Sequence, residues 1–195
     1  MNSFVFQNST KVYFGNDSVS TYLPGLLAQY GPKVMLTYGG GSIKKTGIYE
    51  EIMGYLKTAG KTVVEFSGIR SNPTYAKVLE GAALAKKEKV DLILAVGGGS
   101  VIDSAKAIGY GITNPGDVWD YYSGKAPQAC APIGAVLTIA AAGSEMSNAS
   151  VITNEDGWLK RGLQSPYAYC KFAVLNPELT CTLPPYQTAS GCTDI

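Results

Sequence analysis

The tetrapeptide Gly-Gly-Gly-Ser occurs twice in this chain, and each copy directly follows a run of mainly apolar residues. The first copy, at residues 39–42, follows the run at 33–38, and the second, at 97–100, follows the run at 91–96. A helix-like pattern comes after each copy. Strands that alternate with helices in this way are typical of a parallel sheet with right-handed crossover connections.

The other apolar runs are also typical of strands. The run at 91–96 shows no alternation of apolar and polar residues, as expected for a strand covered by helices on both faces. Further strands are predicted at residues 62–66, 134–139, 149–153 and 172–175, and residues 4–6 and 12–14 predict an N-terminal β-hairpin. The predicted fold class is therefore α/β, with a Rossmann-like parallel sheet and an N-terminal β-hairpin.

Helical patterns fill the connections. The predicted helix at 18–30 contains Pro24, which we expect to break or kink it. Another helix is predicted to begin at Ser100, with Ser100 as its N-cap and Asp103 completing a capping box. A last helix begins at Pro185, because proline is favoured in the first turn of a helix.

Composition excludes several classes of function. The chain has no histidine, which rules out a Ser-His-Asp triad, a Cys-His dyad and imidazole metal ligands within it. Its net charge of +1 gives no electrostatic attraction to nucleic acid or to anionic lipid. Four cysteines without C-x-x-C spacing predict free thiols in a reducing compartment. With no apolar run near the roughly 18 residues that span a bilayer, and no basic leader, we expect a cytoplasmic protein without nucleic-acid or membrane partners.

The second Gly-Gly-Gly-Ser copy is the best candidate for a binding site. Glycines after a buried strand let backbone amides approach a diphosphate, and the following helix adds free N–H groups and the positive end of its dipole. The spacing differs from the G-x-G-x-x-G fingerprint of dinucleotide-binding folds. The alternative is a tight turn that needs glycine only for a positive φ.

The first copy bears on the choice of cofactor. Dinucleotide folds often place an acidic residue after an early strand, where it binds the ribose 2′-hydroxyl. This chain has Gly and Ser at residues 39–42, followed by Lys44 and Lys45. Nothing there would repel a 2′-phosphate, so the sequence favours NADP over NAD. The alternative is that both lysines are simply solvated at the start of a helix.

Two further segments are open to a functional or a structural interpretation. The small residues at 141–144 form a loop that a flat ring could pack against, but ordinary close packing explains them equally well. Glu145 is interpreted as structural, because it has no partner carboxylate. Lys160 and Arg161 are predicted to be solvated on a loop.

These motifs together resemble the iron-containing, or group III, alcohol dehydrogenases, and most closely their butanol dehydrogenase and NADPH-dependent aldehyde reductase branch. The resemblance runs from Phe14 to the end of the chain. It is carried by the segments Tyr-Gly-Gly-Gly-Ser-Ile-Lys-Lys-Thr-Gly at 38–47, Gly-Ile-Arg-Ser-Asn-Pro at 68–73, Ala-Val-Gly-Gly-Gly-Ser-Val-Ile-Asp at 95–103, Gly-Ser-Glu at 143–145 and Leu-Asn-Pro-Glu-Leu-Thr-Cys-Thr-Leu-Pro-Pro at 175–185.

The resemblance implies how a nicotinamide dinucleotide, NADP or NAD, would be held. Gly98, Gly99 and Ser100 would bind its diphosphate, and Asp103 would brace that loop. Gly40 and Ser42 would face the adenosine ribose, and the other implied cofactor contacts are Asn72, Thr138, Ser147, Lys160 and Leu179. The family pattern Pro-Ala-Thr-Gly-Ser-Glu is replaced here by Ala-Ala-Ala-Gly-Ser-Glu at 140–145, which removes one hydroxyl, worth about 1 kcal/mol as a hydrogen bond.

The resemblance also implies a metal and a second domain. Family members bind one divalent ion, Fe or Zn, through an Asp and three His, and Asp194 matches the Asp; no catalytic residue is assigned within the chain. Residues 1–184 would form the dinucleotide-binding domain and 185–195 the start of an all-helical metal-binding domain, the rest of which lies beyond residue 195. We expect the complete protein to be a homodimer that transfers hydride between NAD(P)(H) and a small alcohol or aldehyde, such as butanol or butyraldehyde, and this chain alone to be inactive.

Three alternatives stay open on the sequence. The chain would be a dinucleotide-binding module without catalysis if a stop codon followed residue 195. It would belong to the related lyase or glycerol dehydrogenase branch, although the Asn-Pro-x-Leu-Thr-x-x-Leu-Pro-Pro stretch favours the alcohol branch. It would be a self-associating structural piece if residues 4–14 paired at a sheet edge.

Overall fold

A computed structural model of the chain describes Ser3, Val5 and residues 7–194, with the side chain of Asp194 left out. The strands are β1 (Lys11–Phe14), β2 (Lys33–Thr37), β3 (Thr62–Phe66), β4 (Leu92–Gly97), β5 (Ile133–Leu137), β6 (Ala149–Asn154), β7 (Leu159–Gln164) and β8 (Phe172–Leu175). The α-helices are α1 (Ser18–Leu27), α2 (Ser42–Lys45), α3 (Ile48–Thr58), α4 (Tyr75–Glu88), α5 (Gly99–Thr113), α6 (Val118–Tyr122) and α7 (Pro185–Asp194).

Six strands form one parallel sheet in the order β1-β8-β5-β4-β2-β3. At its centre Leu36 of β2 lies opposite Leu94 of β4, and Ile93 of β4 lies opposite Ile133 of β5. The predicted Rossmann-like α/β fold is therefore confirmed.

The first strand has a partner that the sequence did not predict. β1 pairs in parallel with β8, with Val12 opposite Ala173, at one edge of the sheet. Phe4 and Phe6 of the predicted hairpin lie outside the described residues, and Val5 between them is in no strand.

Two local predictions are wrong. α1 continues through Pro24, because Leu23, Leu26 and Leu27 are buried on its inner face and this packing outweighs the missing hydrogen bond. Lys160 and Arg161 lie in β7, not in a loop, and β7 forms an antiparallel two-stranded sheet with β6. β6 itself is therefore not part of the main sheet.

The core lies on both faces of the parallel sheet. Side chains of β4 alternate between the faces: Ile93 and Ala95 pack with α4 and α5, whereas Leu92 and Leu94 pack with α1 and α3. All four side chains are fully buried, which explains why the run at 91–96 is apolar throughout.

The two helices on one face touch very closely. A Cβ atom added to Gly81 of α4 would lie 2.9 Å from both Ile108 Cγ1 and Phe66 Cε1, and one added to Gly111 of α5 would lie 2.9 Å from Ala82 Cβ. Glycine is therefore needed at these positions for helix packing. Among the described helices, none combines the length and the apolar character needed to cross a membrane.

Candidate functional site

The two Gly-Gly-Gly-Ser copies meet at the centre of the sheet. β2 and β4 are neighbours, but the chain leaves β2 toward β3 on one side and leaves β4 toward β5 on the other. Ligands of open parallel sheets bind at the carboxyl ends of strands where the strand order reverses in this way. Both glycine-rich turns follow the two strands that flank this point.

A cavity of about 230 Å³ lies between the two turns. Four of the predicted cofactor residues line it: Ser42, Gly98, Thr138 and Leu179. The Thr138 amide donates to the Gly97 carbonyl at 3.1 Å, which joins the turn after β5 to the turn after β4. The cavity wall also contains Gly39 and Gly97 of the two Gly-Gly-Gly-Ser copies, together with residues to which the sequence analysis assigned no individual role, namely Ile43, Thr46, Ile48, Val96, Val101, Ile139, Thr182 and Leu183.

The second turn enters α5 differently from the prediction. α5 begins at Gly99, and Gly98, with φ −92° and ψ −170°, is its N-cap without a side-chain cap. The predicted Ser100 N-cap and the capping box with Asp103 are therefore wrong. Asp103 Oδ2 accepts from the Val151 amide at 3.1 Å, so this side chain contacts the start of the β6–β7 hairpin. Burial raises the pKa of Asp103, and the Val151 amide partly opposes that effect.

Close approach, not backbone conformation, explains the three glycines. Gly97, Gly98 and Gly99 are not among the residues with a positive φ, which excludes the tight-turn explanation. A Cβ on Gly97 would lie 2.7 Å from Val101 Cγ2, and one on Gly99 would lie 3.0 Å from Ser144 Oγ. A Cβ on Gly98 would overlap the side chain of Ile139. Glycine therefore lets the turn pack tightly beneath the cavity.

The first turn of α5 presents free donors. The amides of Val101 and Ile102 donate to the Gly98 carbonyl at 3.0 and 3.2 Å. The amides of Gly99 and Ser100 have no acceptor within the described part of the chain. Two N–H groups at the positive end of a 15-residue helix form an arrangement that binds anions such as a diphosphate.

The first Gly-Gly-Gly-Ser copy leads into a small cluster of aromatic and charged groups. Gly41 has a φ of +111° and precedes the single-turn helix α2. The Lys44 ammonium lies 4.4 Å from the centroid of the Tyr49 ring and 5.4 Å from that of Tyr38. The hydroxyls of Tyr38 and Tyr49 each donate to the Glu65 carboxylate at 2.8 Å. These two bonds lower the pKa of Glu65, and the bond to Glu65 raises the pKa of Tyr49 to about 12.

Asn72 and Lys160 are brought together, but they do not line the cavity. Lys160 Nζ donates to Asn72 Oδ1 at 2.8 Å, and the pair links the loop after β3 to β7. Asn72 has a φ of +54°, in the left-handed region that asparagine tolerates better than most residues. Gly40 is exposed at the turn after β2, next to the cavity.

Ser147 lies in the loop between β5 and β6, beside a residue that the sequence analysis missed. Its carbonyl and its Oγ are 2.8 Å and 3.4 Å from the ammonium of Lys106 in α5. The sequence contained a usable pattern: Lys106 is the only basic residue in the otherwise mainly apolar helical segment 99–113. A lone lysine there points to an internal polar contact.

The predicted metal ligand stands at the end of the last helix. Asp194 is the final residue of α7, and its side chain lies outside the described residues. No cluster of three His, Cys, Asp or Glu side chains suited to a metal occurs among the described residues. Because the chain has no histidine, its own residues do not supply the predicted set of one Asp and three His.

Larger clefts elsewhere lack these features. A cleft of about 390 Å³ is lined by Arg70, Lys77 and Glu80, and one of about 500 Å³ by Tyr121, Tyr122 and Lys125. Neither cleft lies where the strand order reverses or faces the free amides of α5. Size alone therefore does not identify the site.

A parallel sheet with a glycine-rich turn and a helix N-terminus at its reversal point defines a Rossmann-like α/β domain. Comparison with known proteins gives the family. The sequence model of the iron-containing alcohol dehydrogenases matches residues 9–177, and this chain belongs to that family of oxidoreductases.

The relatives are dehydrogenases and reductases. The chain is 45% identical over its whole length to the probable NADH-dependent butanol dehydrogenase 1 of Bacillus subtilis, and 38% identical to the NADPH-dependent aldehyde reductase YqhD of Escherichia coli. Its structure matches that of the NADH-dependent butanol dehydrogenase A of Thermotoga maritima with a TM-score of 0.94 and 43% identity, over 100% of this chain and 49% of that one. The chain spans about half the length of the curated relatives it matches.

Proposed function

We propose that this chain binds a nicotinamide adenine dinucleotide across the reversal point of its sheet. The free amides of Gly99 and Ser100, above a turn in which only glycine fits, are the observation that carries the proposal. They would hold the diphosphate. The turn with Gly40 and Ser42 would hold the adenosine side, and Thr138 lies on the other side of the cavity. The bound nicotinamide supplies or accepts a hydride.

The complete protein, in this proposal, is a metal-dependent alcohol dehydrogenase or aldehyde reductase that acts on a small primary alcohol or aldehyde such as butanol or butyraldehyde. The activities for which the relatives are named support this class of substrate. Residues 1–184 form the dinucleotide-binding domain, and residues 185–195 begin a helical domain in which Asp194 is one metal ligand. The complete protein is a cytoplasmic homodimer.

NADP is the proposed cofactor. Lys44, close to the first glycine-rich turn, places a cation there, and residues 39–42 contain no carboxylate that would repel a 2′-phosphate. The nearby Glu65 carboxylate already accepts two tyrosine hydroxyls. The names of the relatives include both NADH and NADPH, so the preference rests on these residues.

Introducing a negative charge at residue 100 tests the proposed diphosphate site. In Ser100→Asp, a carboxylate in the first turn of α5 favours the helix, because it interacts well with the helix dipole, but it repels a diphosphate. Isothermal titration calorimetry with NADPH is expected to show affinity reduced at least about tenfold, with an unchanged or higher Tm. Ser100→Asn, a neutral side chain of the same shape, is the matched control and retains binding. Equal affinities of the two variants contradict a diphosphate at this helix.

Titration of the unmodified chain with NADPH and with NADH tests the proposed preference for NADP. NADPH is expected to bind more tightly, and Lys44→Gln is expected to reduce that difference while leaving NADH affinity unchanged. Tighter binding of NADH contradicts the NADP proposal but leaves the diphosphate site intact. Absence of heat with both dinucleotides, in a folded sample, contradicts the proposed function.

A further inference from the structure

Lys106 is a fully buried lysine in the middle of α5. Its ammonium donates to three backbone carbonyls, those of Ser144 at 2.7 Å, Ser147 at 2.8 Å and Ala149 at 2.8 Å. All three acceptors belong to the segment that connects β5 to the start of β6. One side chain therefore ties this loop to α5 at three points.

The charge of Lys106 is satisfied by these dipoles rather than by an acid. No carboxylate lies within salt-bridge distance of its ammonium in the described part of the chain. Burial lowers the pKa of Lys106, and the nearby Asp103 and Glu145 partly offset this effect. An apolar side chain would avoid the desolvation of a buried charge, so the ammonium is explained by the loop that it holds.

The loop that Lys106 holds lies beside the diphosphate turn. Ser144 of this loop is so close to the turn that a Cβ on Gly99 would be 3.0 Å from its Oγ. Thr138 and Ile139, which line the cavity, lead into the same loop from β5. A helical side chain points toward the N-terminus of its helix, so Lys106 extends from the body of α5 toward the end that carries the free amides.

The direction of a bound dinucleotide follows from the sheet. If the adenosine half lies at the turn after β2 and the diphosphate at the turn after β4, the other half continues toward the end of β5. The segment after β5 is the loop that Lys106 holds.

We propose that Lys106 is a positioning residue, which fixes the loop at residues 143–149 as the surface against which the nicotinamide ring of the dinucleotide packs. This inference rests on the proposed function, because it assumes that a dinucleotide occupies the cavity. Lys106 does not touch the cofactor in this proposal. It acts through the loop.

A comparison of two ligands isolates the contribution of the nicotinamide ring to binding. NADPH and 2′-phospho-ADP-ribose share the adenosine half and the diphosphate, and they differ by the nicotinamide. In Lys106→Met, which keeps the length of the side chain but removes its donors, the three carbonyls lose their common partner and the loop shifts. We expect NADPH affinity to fall about tenfold, whereas 2′-phospho-ADP-ribose affinity stays within about twofold, both measured by calorimetry.

Asn114→Ala provides the matched control. Asn114 is also buried in this region, at the end of α5, and its side chain accepts from the Gln128 amide at 2.7 Å and donates to the Ala129 carbonyl at 2.8 Å. It thus holds a different segment, far along the helix from the free amides. Its loss is expected to lower the Tm without changing the ratio of the two ligand affinities.

The outcomes separate the two proposals. A wild-type chain that binds neither ligand contradicts the proposed function, and the inference on Lys106 with it. Wild-type binding with the same affinity ratio in Lys106→Met overturns the positioning role alone, as does equal wild-type affinity for both ligands. If Lys106→Met does not fold, Lys106→Gln replaces it. Its shorter side chain still donates but reaches fewer carbonyls, and the same selective loss of NADPH affinity is expected.

Discussion

Glu65 shows how single side chains around the site set each other's ionisation. Its carboxylate accepts from the hydroxyls of Tyr38 and Tyr49, and both bonds stabilise the charged form. The pKa of Glu65 is lowered for that reason, chiefly by Tyr49 and then by Tyr38. The pKa is lower in the folded chain than in the unfolded one. The two bonds therefore stabilise the folded chain at pH values above the ordinary glutamate pKa of 4.5. That stability is lost as the pH falls through the lowered pKa.

Tyr49→Phe removes the hydrogen bond that lowers the pKa of Glu65 the most. The pKa of Glu65 is expected to rise toward its ordinary value, as followed by NMR of the side-chain carboxyl carbon. In urea unfolding, the variant is expected to be less stable than the unmodified chain at pH 7, with a smaller difference at pH 3. Tyr55→Phe is the control, because Tyr55 donates to a different carboxylate, that of Glu51, at 3.2 Å. A stability difference that does not change with pH would contradict this interpretation.

At the scale of residues, the sequence predicted which residues matter at the site more readily than which side chains or amides they contact. The glycines at 97–99 were singled out from sequence, but their neighbours Val101, Ile139 and Ser144 are set by tertiary packing. Asp103 has the spacing of a capping box with Ser100, yet the Val151 amide, distant in the sequence, is its partner. Partners of this kind depend on where β6 lies, and local sequence does not contain that information.

At the scale of elements, α4 and α5 illustrate a conflict between helix propensity and packing. Gly81 sits inside α4, where alanine is intrinsically preferred by about 1 kcal/mol. The structure leaves no room for the added methyl group, because Ile108 and Phe66 are buried against Gly81. Overpacking a core in this way typically costs about 1–3 kcal/mol.

Gly81→Ala is therefore expected to destabilise the chain by about 1 kcal/mol net, despite the gain in propensity. Gly54→Ala in α3 is the matched control, since Gly54 is helical and exposed and its added Cβ would have nothing within 4 Å. That control is expected to stabilise by up to about 1 kcal/mol. Chemical denaturation of both variants measures the difference, and a stabilising Gly81→Ala would show that the helices are not tightly packed.

Apolar runs predicted the buried strands well and the exposed ones poorly. The apolar run at 91–96 falls mostly on β4, which is buried throughout, and the predicted strand at 172–175 matches the mostly buried β8. β7 was missed because its residues are mostly exposed and include two adjacent basic side chains, so no apolar pattern marks it. Pro24 was overrated as a helix breaker because the burial of Leu23 and Leu27 is a tertiary effect.

At the scale of the whole molecule, the order of the strands decides where the site lies. Alternating strands and helices predicted a parallel sheet, but they did not predict that β2 lies next to β4 or that β1 lies next to β8. Those neighbours bring the two glycine-rich turns together across a single cavity. The site was thus predicted as a set of residues, and the arrangement of those residues came from the topology.

The lack of histidine leads to a prediction for the whole chain. With added Fe²⁺ or Zn²⁺, NADPH and butyraldehyde, we expect no metal-dependent oxidation of NADPH, because in the proposed function a metal ion would polarise the substrate oxygen and this chain has no histidine to hold it. The fall in the absorbance of the reduced cofactor measures the reaction. The full-length Escherichia coli relative serves as the positive control. Metal-dependent turnover by this chain would contradict the expectation.

The pairing of β1 with β8 has a consequence for biosynthesis. A ribosome synthesises Lys11–Phe14 long before the strand that pairs with it, Phe172–Leu175. The central strands can assemble while the chain is still growing, since β2, β3 and β4 follow one another closely. Among the described strands of the main sheet, β1 therefore comes first in the sequence but cannot pair until β8, the last of them, has been synthesised.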